Sequence, residues 1–284
     1  MKLLKDHHIK DLIAGGLGHL RDFKIVSNIC RPLMGFLMHH IDPSTMTLDL
    51  GDGRKRLQFT AETMYILFGL PHGRNAPPMP SENGFDEALM KLREELGVPR
   101  DKHIETKYLR LKLEELVKDP TQDALAMKVF GLIFYMKFVC PGSSVRVSRE
   151  APMVQDFRLA DLHDVDMCQL LLDEFKRAVI LWQKPGSEWK AIPGCGIAAV
   201  LAYLDCLKDR VHGTKDMRTP RVLYMDPTHL RALADKDCFG DGNSDIRSWK
   251  FGKLQVSIIY LSYIFYFASD VVISFCIFII YDLK

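Results

Sequence analysis

Apolar residues recur at helical spacing along most of the chain, and this pattern predicts a mainly α fold. Residues 81–97 show it clearly, because their apolar positions follow the three- and four-residue steps of one helical face. The same periodicity predicts helices at residues 31–40, 104–118, 123–140, 159–182, 197–209 and 220–233. We therefore expect a single helical domain over residues 20–255, preceded by a flexible N-terminus at residues 1–19.

One region instead alternates apolar and polar residues with the two-residue period of a strand. The alternation runs through residues 46–50 and again through 57–59, on either side of a Gly51-Asp52-Gly53 turn. This pattern predicts a small β-hairpin near the N-terminus. Thr60 then has the character of a helix N-cap, and Gly69 suits the left-handed position that ends the following helix.

The helix predicted at residues 123–140 is apolar on nearly all sides. It is roughly 18 residues long, about the minimum for a membrane span, but it contains Asp123, Lys128 and Lys137. Because these charges would be costly in lipid, the sequence favours a helix buried in the protein core.

The C-terminal segment 256–281 differs in composition from the rest of the chain. Of its 26 residues, 21 are apolar or aromatic, four are serine, and Asp270 alone is charged. Its 15 Val, Ile, Leu and Phe residues favour membrane insertion by about 4.5 to 9 kcal/mol, whereas Asp270 costs about 3 kcal/mol. Because Arg247, Lys250 and Lys253 precede it, this hydrophobic helix is predicted to anchor a cytosolic body.

Composition and charge exclude two broad classes of protein. The 284 residues are 48% hydrophobic, which is typical of a folded globular protein and not of a disordered chain. The 38 Lys and Arg residues nearly balance 36 Asp and Glu, so a net charge of +2 provides no bulk attraction to nucleic acid. A local contact through Arg54-Lys55-Arg56 at the hairpin turn stays open.

The seven cysteines form no recognisable metal motif. Their spacing contains no C-x-x-C pair, which argues against a zinc ribbon. Their number is odd, and the charged N-terminus does not resemble a signal peptide. These features indicate free thiols in a reducing cytosolic or nuclear compartment.

Several short patterns resemble known sites but fit them poorly. Residues 15–18 are glycine-rich, but they lack the preceding strand and the last glycine of a dinucleotide-binding motif. The rings of His39-His40 are predicted to point apart on a helix, and His7-His8 is predicted to lie in a frayed terminus. Residues 241–245 begin like a calcium loop, but the required Gly and Glu do not follow.

The densest group of possible metal ligands lies at the start of the helix predicted at residues 159–182. Its members are Asp161, His163, Asp164, Asp166 and Cys168. On an α-helix Asp161 and Asp164 would share a face, as would Asp164 and Cys168, so a site is geometrically possible. The favoured explanation is that acidic residues stabilise a helix N-terminus through its dipole, near a predicted break at Asp164.

Cys195 is the candidate for a reactive thiol. It lies in a glycine-flanked turn before a predicted helix, whose dipole is expected to lower the pKa of the thiol. The sequence places no histidine or aspartate beside it, and cysteines are often buried. Since no acid–base pair emerges, we predict a protein that is not an enzyme and has no metal ion or cofactor.

The stretch from Leu48 to Arg74 resembles the signature of the plant mobile domain family, also labelled aminotransferase-like. The resemblance consists of a hairpin, a capped helix and a G-L-P-x-G turn. The matching residues are Thr60, Gly69, Leu70, Pro71 and Gly73. With the order of elements over about residues 20–254, it implies a transposon-derived nuclear module that regulates through protein contacts. No lysine lies in a cofactor-binding context, so pyridoxal phosphate chemistry is not expected.

Two alternative functions stay open. The chain could be a tail-anchored membrane protein, or the truncated N-terminal part of a transposon-derived ubiquitin-like-protease protein, because some plant mobile domain relatives carry such a protease. The tail has a second explanation, since Gln255-Val256-Ser257 is the translation of a favoured plant exon–intron junction followed by a T-rich intron. The sequence identifies no protein partner.

Overall fold

The computed structural model describes most of the chain up to residue 254, and the described part is mainly α-helical. It covers residues 4–23, 30–50, 56–77, 85–139, 141, 147, 158–185, 195–207, 218–239 and 250–254. Its α-helices are α1 (Asp6–Ala14), α2 (Arg31–His40), α3 (Ala61–Phe68), α4 (Phe85–Leu96), α5 (Thr106–Leu116), α6 (Asp123–Phe134), α7 (Met167–Gln183), α8 (Ile197–Cys206) and α9 (Pro227–Asp237). Shorter 3-10 turns lie at Gly18–Asp22, Pro120–Gln122, Leu159–Asp164 and Arg221–Leu223, with a π-helical turn at Tyr135–Val139. The predicted mainly α class is confirmed.

The predicted hairpin belongs to a three-stranded antiparallel sheet. Its strands are, in order, β1 (Ile41–Asp42), β2 (Thr47–Asp49) and β3 (Arg56–Gln58). Leu48 pairs with Ile41 on one side and with Leu57 on the other, and all three side chains are buried. The sequence did not predict β1, because a strand of two residues shows no alternation. The Gly51-Asp52-Gly53 turn lies outside the described residues.

Helix α3 begins and ends where the sequence predicts. The Thr60 hydroxyl accepts a hydrogen bond from the backbone N–H of Thr63 at 3.1 Å, which satisfies a donor of the first turn. Gly69 follows the helix with a φ of 63°, in the left-handed region that favours glycine. Both ends of α3 are therefore determined by residues next to the helix.

Aspartates cap the segments that begin α6 and α7. The Asp119 carboxylate accepts a hydrogen bond from the Thr121 N–H at 2.9 Å and opens a 3-10 turn before α6. The helix predicted at residues 159–182 is broken near Asp164, as expected. It consists of a 3-10 turn followed by α7, which Asp166 caps through the N–H of Gln169 at 2.8 Å.

The core is centred on α8, whose residues 198–206 are all buried. Helices α2 and α3 pack against α8 and also against α7, and α5 packs along α6. Val129 and Leu132 of α6 are fully buried, so α6 is a core helix as predicted. In the described part of the chain, we find no helix with the length and apolar character needed to cross a membrane.

The N-terminal stretch, expected to be flexible, packs against the domain over residues 6–22. Leu12 of α1 and Leu17 after it are fully buried, and α1 lies against the 3-10 turn Leu159–Asp164. The burial of these leucines explains the packing, since each removes apolar surface from water.

The last described residues, 250–254, are joined to α9 by a buried carboxylate. Asp237 is fully buried at the end of α9 and accepts three hydrogen bonds. The donors are the Tyr203 hydroxyl at 2.6 Å, the Gly252 N–H at 3.0 Å and the Leu254 N–H at 2.7 Å. These bonds satisfy a group that would be costly to bury alone.

An aromatic side chain also fixes this segment to the core. Phe251 is buried, and its ring centroid lies 5.4 Å from that of Phe36 in α2. The packed domain therefore includes residues 250–254. The hydrophobic helix predicted at residues 256–281 lies outside the described residues.

Candidate functional site

The G-L-P-x-G turn at residues 69–73 passes unusually close to other segments of the chain. At Gly69, a Cβ atom would lie 2.9 Å from the Pro220 side chain and 3.1 Å from Nε2 of His19. At Gly73, a Cβ atom would lie 2.1 Å from the carbonyl carbon of Asp164. Close contacts at both positions, together with the left-handed φ of 63° at Gly69, therefore favour glycine there.

Backbone hydrogen bonds join this turn to the segment that leads into α7. They run from Gly73 N–H to Val165 O (3.2 Å), from Asn75 N–H to Asp164 O (2.9 Å), from Asp166 N–H to Asn75 O (2.8 Å), and from Met167 N–H and Cys168 N–H to Pro71 O (2.9 and 3.3 Å). We call the two segments, residues 70–75 and 164–168, the turn junction. It aligns side chains that are far apart in sequence.

Three polar side chains meet at the turn junction: His72, Asp166 and Cys168. The His72 Nδ1–H donates to Asp166 Oδ1 at 2.9 Å, and the Cys168 thiol donates to the Leu70 carbonyl at 3.2 Å. A ring nitrogen of His72, a carboxylate oxygen of Asp166 and the Sγ of Cys168 all lie within 4.8 Å of one another. The group has the composition of a metal site or of a thiol active site.

The environment of Cys168 keeps its thiol protonated. The side chain is fully buried, whereas the His72 and Asp166 side chains are 38% and 21% exposed. Burial raises the pKa of Cys168 far above its ordinary value, and the negative charges of Asp166 and Glu62 raise the pKa further. The thiolate, which is the nucleophilic form, is therefore not populated at neutral pH.

The predicted ligand cluster at residues 161–168 is divided by the structure. Asp161, His163 and Asp164 are exposed on the 3-10 turn, and the His163 Nδ1–H donates to the Ala160 carbonyl at 2.7 Å. The α-helical spacing used to predict shared faces does not apply, because this segment is a 3-10 turn. Of the five side chains in the predicted cluster, only those of Asp166 and Cys168 lie beside His72.

Sequence reasoning missed His72. It lies 94 positions before Asp166, so no local spacing connects the two residues. The available signal was its place inside the G-L-P-x-G turn, where a backbone that closely approaches another segment positions its side chain as well. Recognising the site required knowing that this turn pairs with the start of α7.

Cys195 lies directly before α8, as predicted, but its thiol is not activated. The side chain is fully buried, and burial raises the pKa of Cys195 to about 12 despite a hydrogen bond with the Ala198 backbone. The expected lowering by the helix dipole is outweighed by the loss of solvation.

A second group joins α1 to α6, where His7 and His8 of α1 meet Asp123 of α6. The two Nε2 atoms lie 2.7 and 3.0 Å from the Asp123 carboxylate. His8 is fully buried, and its Nδ1 accepts a hydrogen bond from the Lys5 N–H at 3.2 Å. Because Nδ1 is an acceptor, Nε2 carries the proton and donates to Asp123. Neither nitrogen of His8 is then available to a metal ion.

Other sequence candidates give no site in the described part of the chain. His39 and His40 are both exposed, and the Nδ1 of His40 bonds the carbonyl of Phe36 at 2.8 Å. Arg56 is exposed at the start of β3. Arg54-Lys55 and the calcium-like residues 241–245 lie outside the described residues.

The chain matches the model of one protein family over most of its length. A family model described as "Domain of unknown function (DUF8566)" matches residues 1–198, which is more than half of the chain. The chain belongs to the DUF8566 family. The DUF8566 match includes both segments of the turn junction. No curated protein and no solved structure matches the chain.

The chain gives no match to the plant mobile domain family. The resemblance to that family, which the sequence suggested, is therefore wrong as an identification. The structure shows why the signature misled. Thr60 caps a helix, Gly69 adopts a left-handed conformation and Gly73 permits a close approach. Residues with these roles recur wherever a backbone follows such a path, so they report local geometry and do not by themselves identify a family.

Proposed function

We propose that this DUF8566 protein is a non-catalytic helical module that acts by binding another protein. The observation that carries the proposal is the state of His72, Asp166 and Cys168. In the described residues, this is the group with the composition of a thiol active site, yet its hydrogen bonds hold the turn junction together. The polar groups of these three residues therefore stabilise the fold.

Thiol catalysis needs a thiolate that faces a base and a substrate. The Cys168 thiol instead donates to the Leu70 carbonyl and is buried, which keeps it protonated. The His72 Nδ1–H is committed to Asp166. Cys195, the other candidate thiol, is also buried and protonated.

Surface character supports a protein partner. The net charge of +2 gives no bulk attraction to nucleic acid. Four large apolar side chains of the described residues are more than half exposed: Ile13, Leu111, Ile180 and Phe239. Apolar side chains of this kind supply the buried cores of protein interfaces, and we expect a partner to cover at least one of them.

The absence of catalysis is tested by metabolite profiling of the full-length chain. The chain and its His72→Ala variant are each incubated with a cell metabolite extract, and both mixtures are compared by mass spectrometry. We expect no metabolite to change relative to buffer. A compound consumed by the unmodified chain and by His163→Ala, but spared by His72→Ala, would show an enzyme and overturn the proposal. His163 is a suitable control because it is an exposed histidine that lies outside the group of His72, Asp166 and Cys168.

The binding activity is tested by quantitative purification of the N-terminally tagged chain from cells. We expect a stoichiometric partner whose recovery falls when Ile13, Leu111, Ile180 or Phe239 is replaced by Glu. If all four variants recovered as much partner as the unmodified chain, an apolar protein interface would be contradicted.

A second proposal, membrane attachment, is favoured by the composition of residues 256–281, where 21 of 26 residues are apolar or aromatic. We propose that this segment forms a hydrophobic helix that anchors the domain. The nuclear location and the protease alternative depended on the corrected resemblance and are not carried further.

The anchor is tested by microscopy. An N-terminally tagged chain should give a reticular membrane signal that disappears without residues 256–284. A diffuse or nuclear signal from the complete chain would contradict the anchor.

A further inference from the structure

We propose that His72, Asp166 and Cys168 bind a divalent metal ion of the zinc type. The three side chains offer one nitrogen, one oxygen and one sulfur atom, all within 4.8 Å of one another. Zinc accepts this mixture of ligands, whereas calcium and magnesium prefer oxygen alone. The ion would cross-link the turn after α3 to the start of α7.

The spacing of the nitrogen and oxygen ligand atoms is close to that around a tetrahedral ion. Zn–N and Zn–O bonds of about 2.0 to 2.1 Å place two such ligands roughly 3.3 Å apart. The His72 Nδ1 and Asp166 Oδ1 atoms are 2.9 Å apart, so a small movement of the exposed imidazole accommodates the ion. Water completes the coordination.

The position of each ligand is fixed by backbone that is already ordered. Cys168 and Asp166 belong to the first turn of α7 and its cap, and His72 lies within the hydrogen-bonded turn junction. Asp166 Oδ1 also accepts the hydrogen bond from the Gln169 N–H, and a carboxylate oxygen has enough lone pairs to keep that bond while it binds an ion. The partial exposure of His72 and Asp166 provides the entry path.

Binding replaces the proton of the Cys168 thiol. One S–H bond breaks, one zinc–sulfur bond forms, and the thiol proton leaves to solvent. At His72 the Nδ1 proton is exchanged for one on Nε2, so that Nδ1 binds zinc and its hydrogen bond to Asp166 is replaced by the two bonds to the ion. No oxidant or reductant is needed. The hydrogen bond from the thiol to the Leu70 carbonyl is lost in the same step. Because one proton is released, affinity should rise about tenfold for each pH unit while the free thiol is protonated.

The other candidate cluster does not meet the same requirement. At His7, His8 and Asp123, the Lys5 N–H fixes the tautomer of His8, and its Nε2–H donates to the carboxylate. Zinc binding there would break both hydrogen bonds of a fully buried histidine. At the turn junction, His72 is partly exposed and can turn toward an ion.

The test is a zinc titration of the tag-free, full-length chain in mild detergent against a competing chromophoric chelator. We expect a single Zn²⁺ ion per chain, and at least a tenfold loss of affinity in His72→Ala and Asp166→Asn. His163→Ala and Cys238→Ser are the matched controls, since neither residue lies at the turn junction. Unchanged affinity in His72→Ala would overturn the proposal, and this exposed position carries little risk of unfolding.

Cobalt provides a second measurement that reports the sulfur ligand directly. Loading with Co²⁺ should produce a thiolate-to-cobalt charge-transfer band that Cys168→Ser abolishes and Cys238→Ser retains. A folded chain that binds cobalt without this band would also overturn the assignment. Circular dichroism of each variant verifies that the fold is intact.

Discussion

At the scale of single residues, Gly73 is a position where the neighbouring backbone leaves no room for a side chain. A Cβ atom there would meet the carbonyl carbon of Asp164 at 2.1 Å, and moving either segment would break the turn junction. We expect Gly73→Ala to lower the free energy of unfolding by about 3 kcal/mol in urea denaturation. Gly97→Ala is the control: its φ of 67° is also positive, but it faces open space, so the loss should be about 1 kcal/mol. Equal losses would show that the close approach is unimportant.

His19 makes stability depend on pH. Burial lowers the pKa of His19, against the raising effects of its hydrogen bond to the Phe68 carbonyl and of the charge of Asp22. The pKa of His19 in the folded chain therefore lies below its value of about 6.5 in the unfolded chain. Between these two pKa values the unfolded chain binds more protons than the folded chain, so the free energy of unfolding falls as the pH decreases through this range.

His19→Gln isolates this effect from the other histidines. The unfolding free energy of the unmodified chain, minus that of the variant, should shrink between about pH 7.5 and about pH 5.5 in urea titrations. A difference that is constant over this range would mean that His19 titrates alike in both states.

At the scale of elements, the sequence predicted features whose determinants are close in the chain. The ends of α3 were predictable because Thr60 and Gly69 flank the helix directly. The core position of α6 was predictable because its own sequence is apolar on nearly all sides of the helix. The strand β1 and the 3-10 turn at Leu159–Asp164 were not, since both depend on contacts with other elements.

The candidate site shows the same division. Cys168 and Asp166 belong to a cluster that the sequence predicted, because they are close together in the chain. His72 joins them only through the turn junction, whose two segments are brought together by the packing of α3 against α7. Local sequence therefore supplied two of the three ligand residues, and tertiary packing supplied the third and removed Asp161, His163 and Asp164.

At the scale of the whole molecule, the packed domain extends beyond the DUF8566 match. The match ends at residue 198, whereas α8 begins at Ile197 and is the most completely buried helix of the described chain. Residues 250–254 add Phe251 to the same core and satisfy the buried carboxylate of Asp237. The structural unit therefore reaches at least residue 254.

This difference between the match and the packed domain can be tested by truncation. Removing residues 199–284 exposes the surface that Val200, Leu201 and Leu204 cover, which costs about 6 kcal/mol for these three side chains. That loss is comparable with the whole stability of a typical domain, so a chain of residues 1–198 should not unfold cooperatively in urea. A chain of residues 1–254 keeps α8, α9 and the Asp237 contacts, and it should show one cooperative transition. Cooperative unfolding of the shorter chain would mean that the first 198 residues form a core that does not need α8.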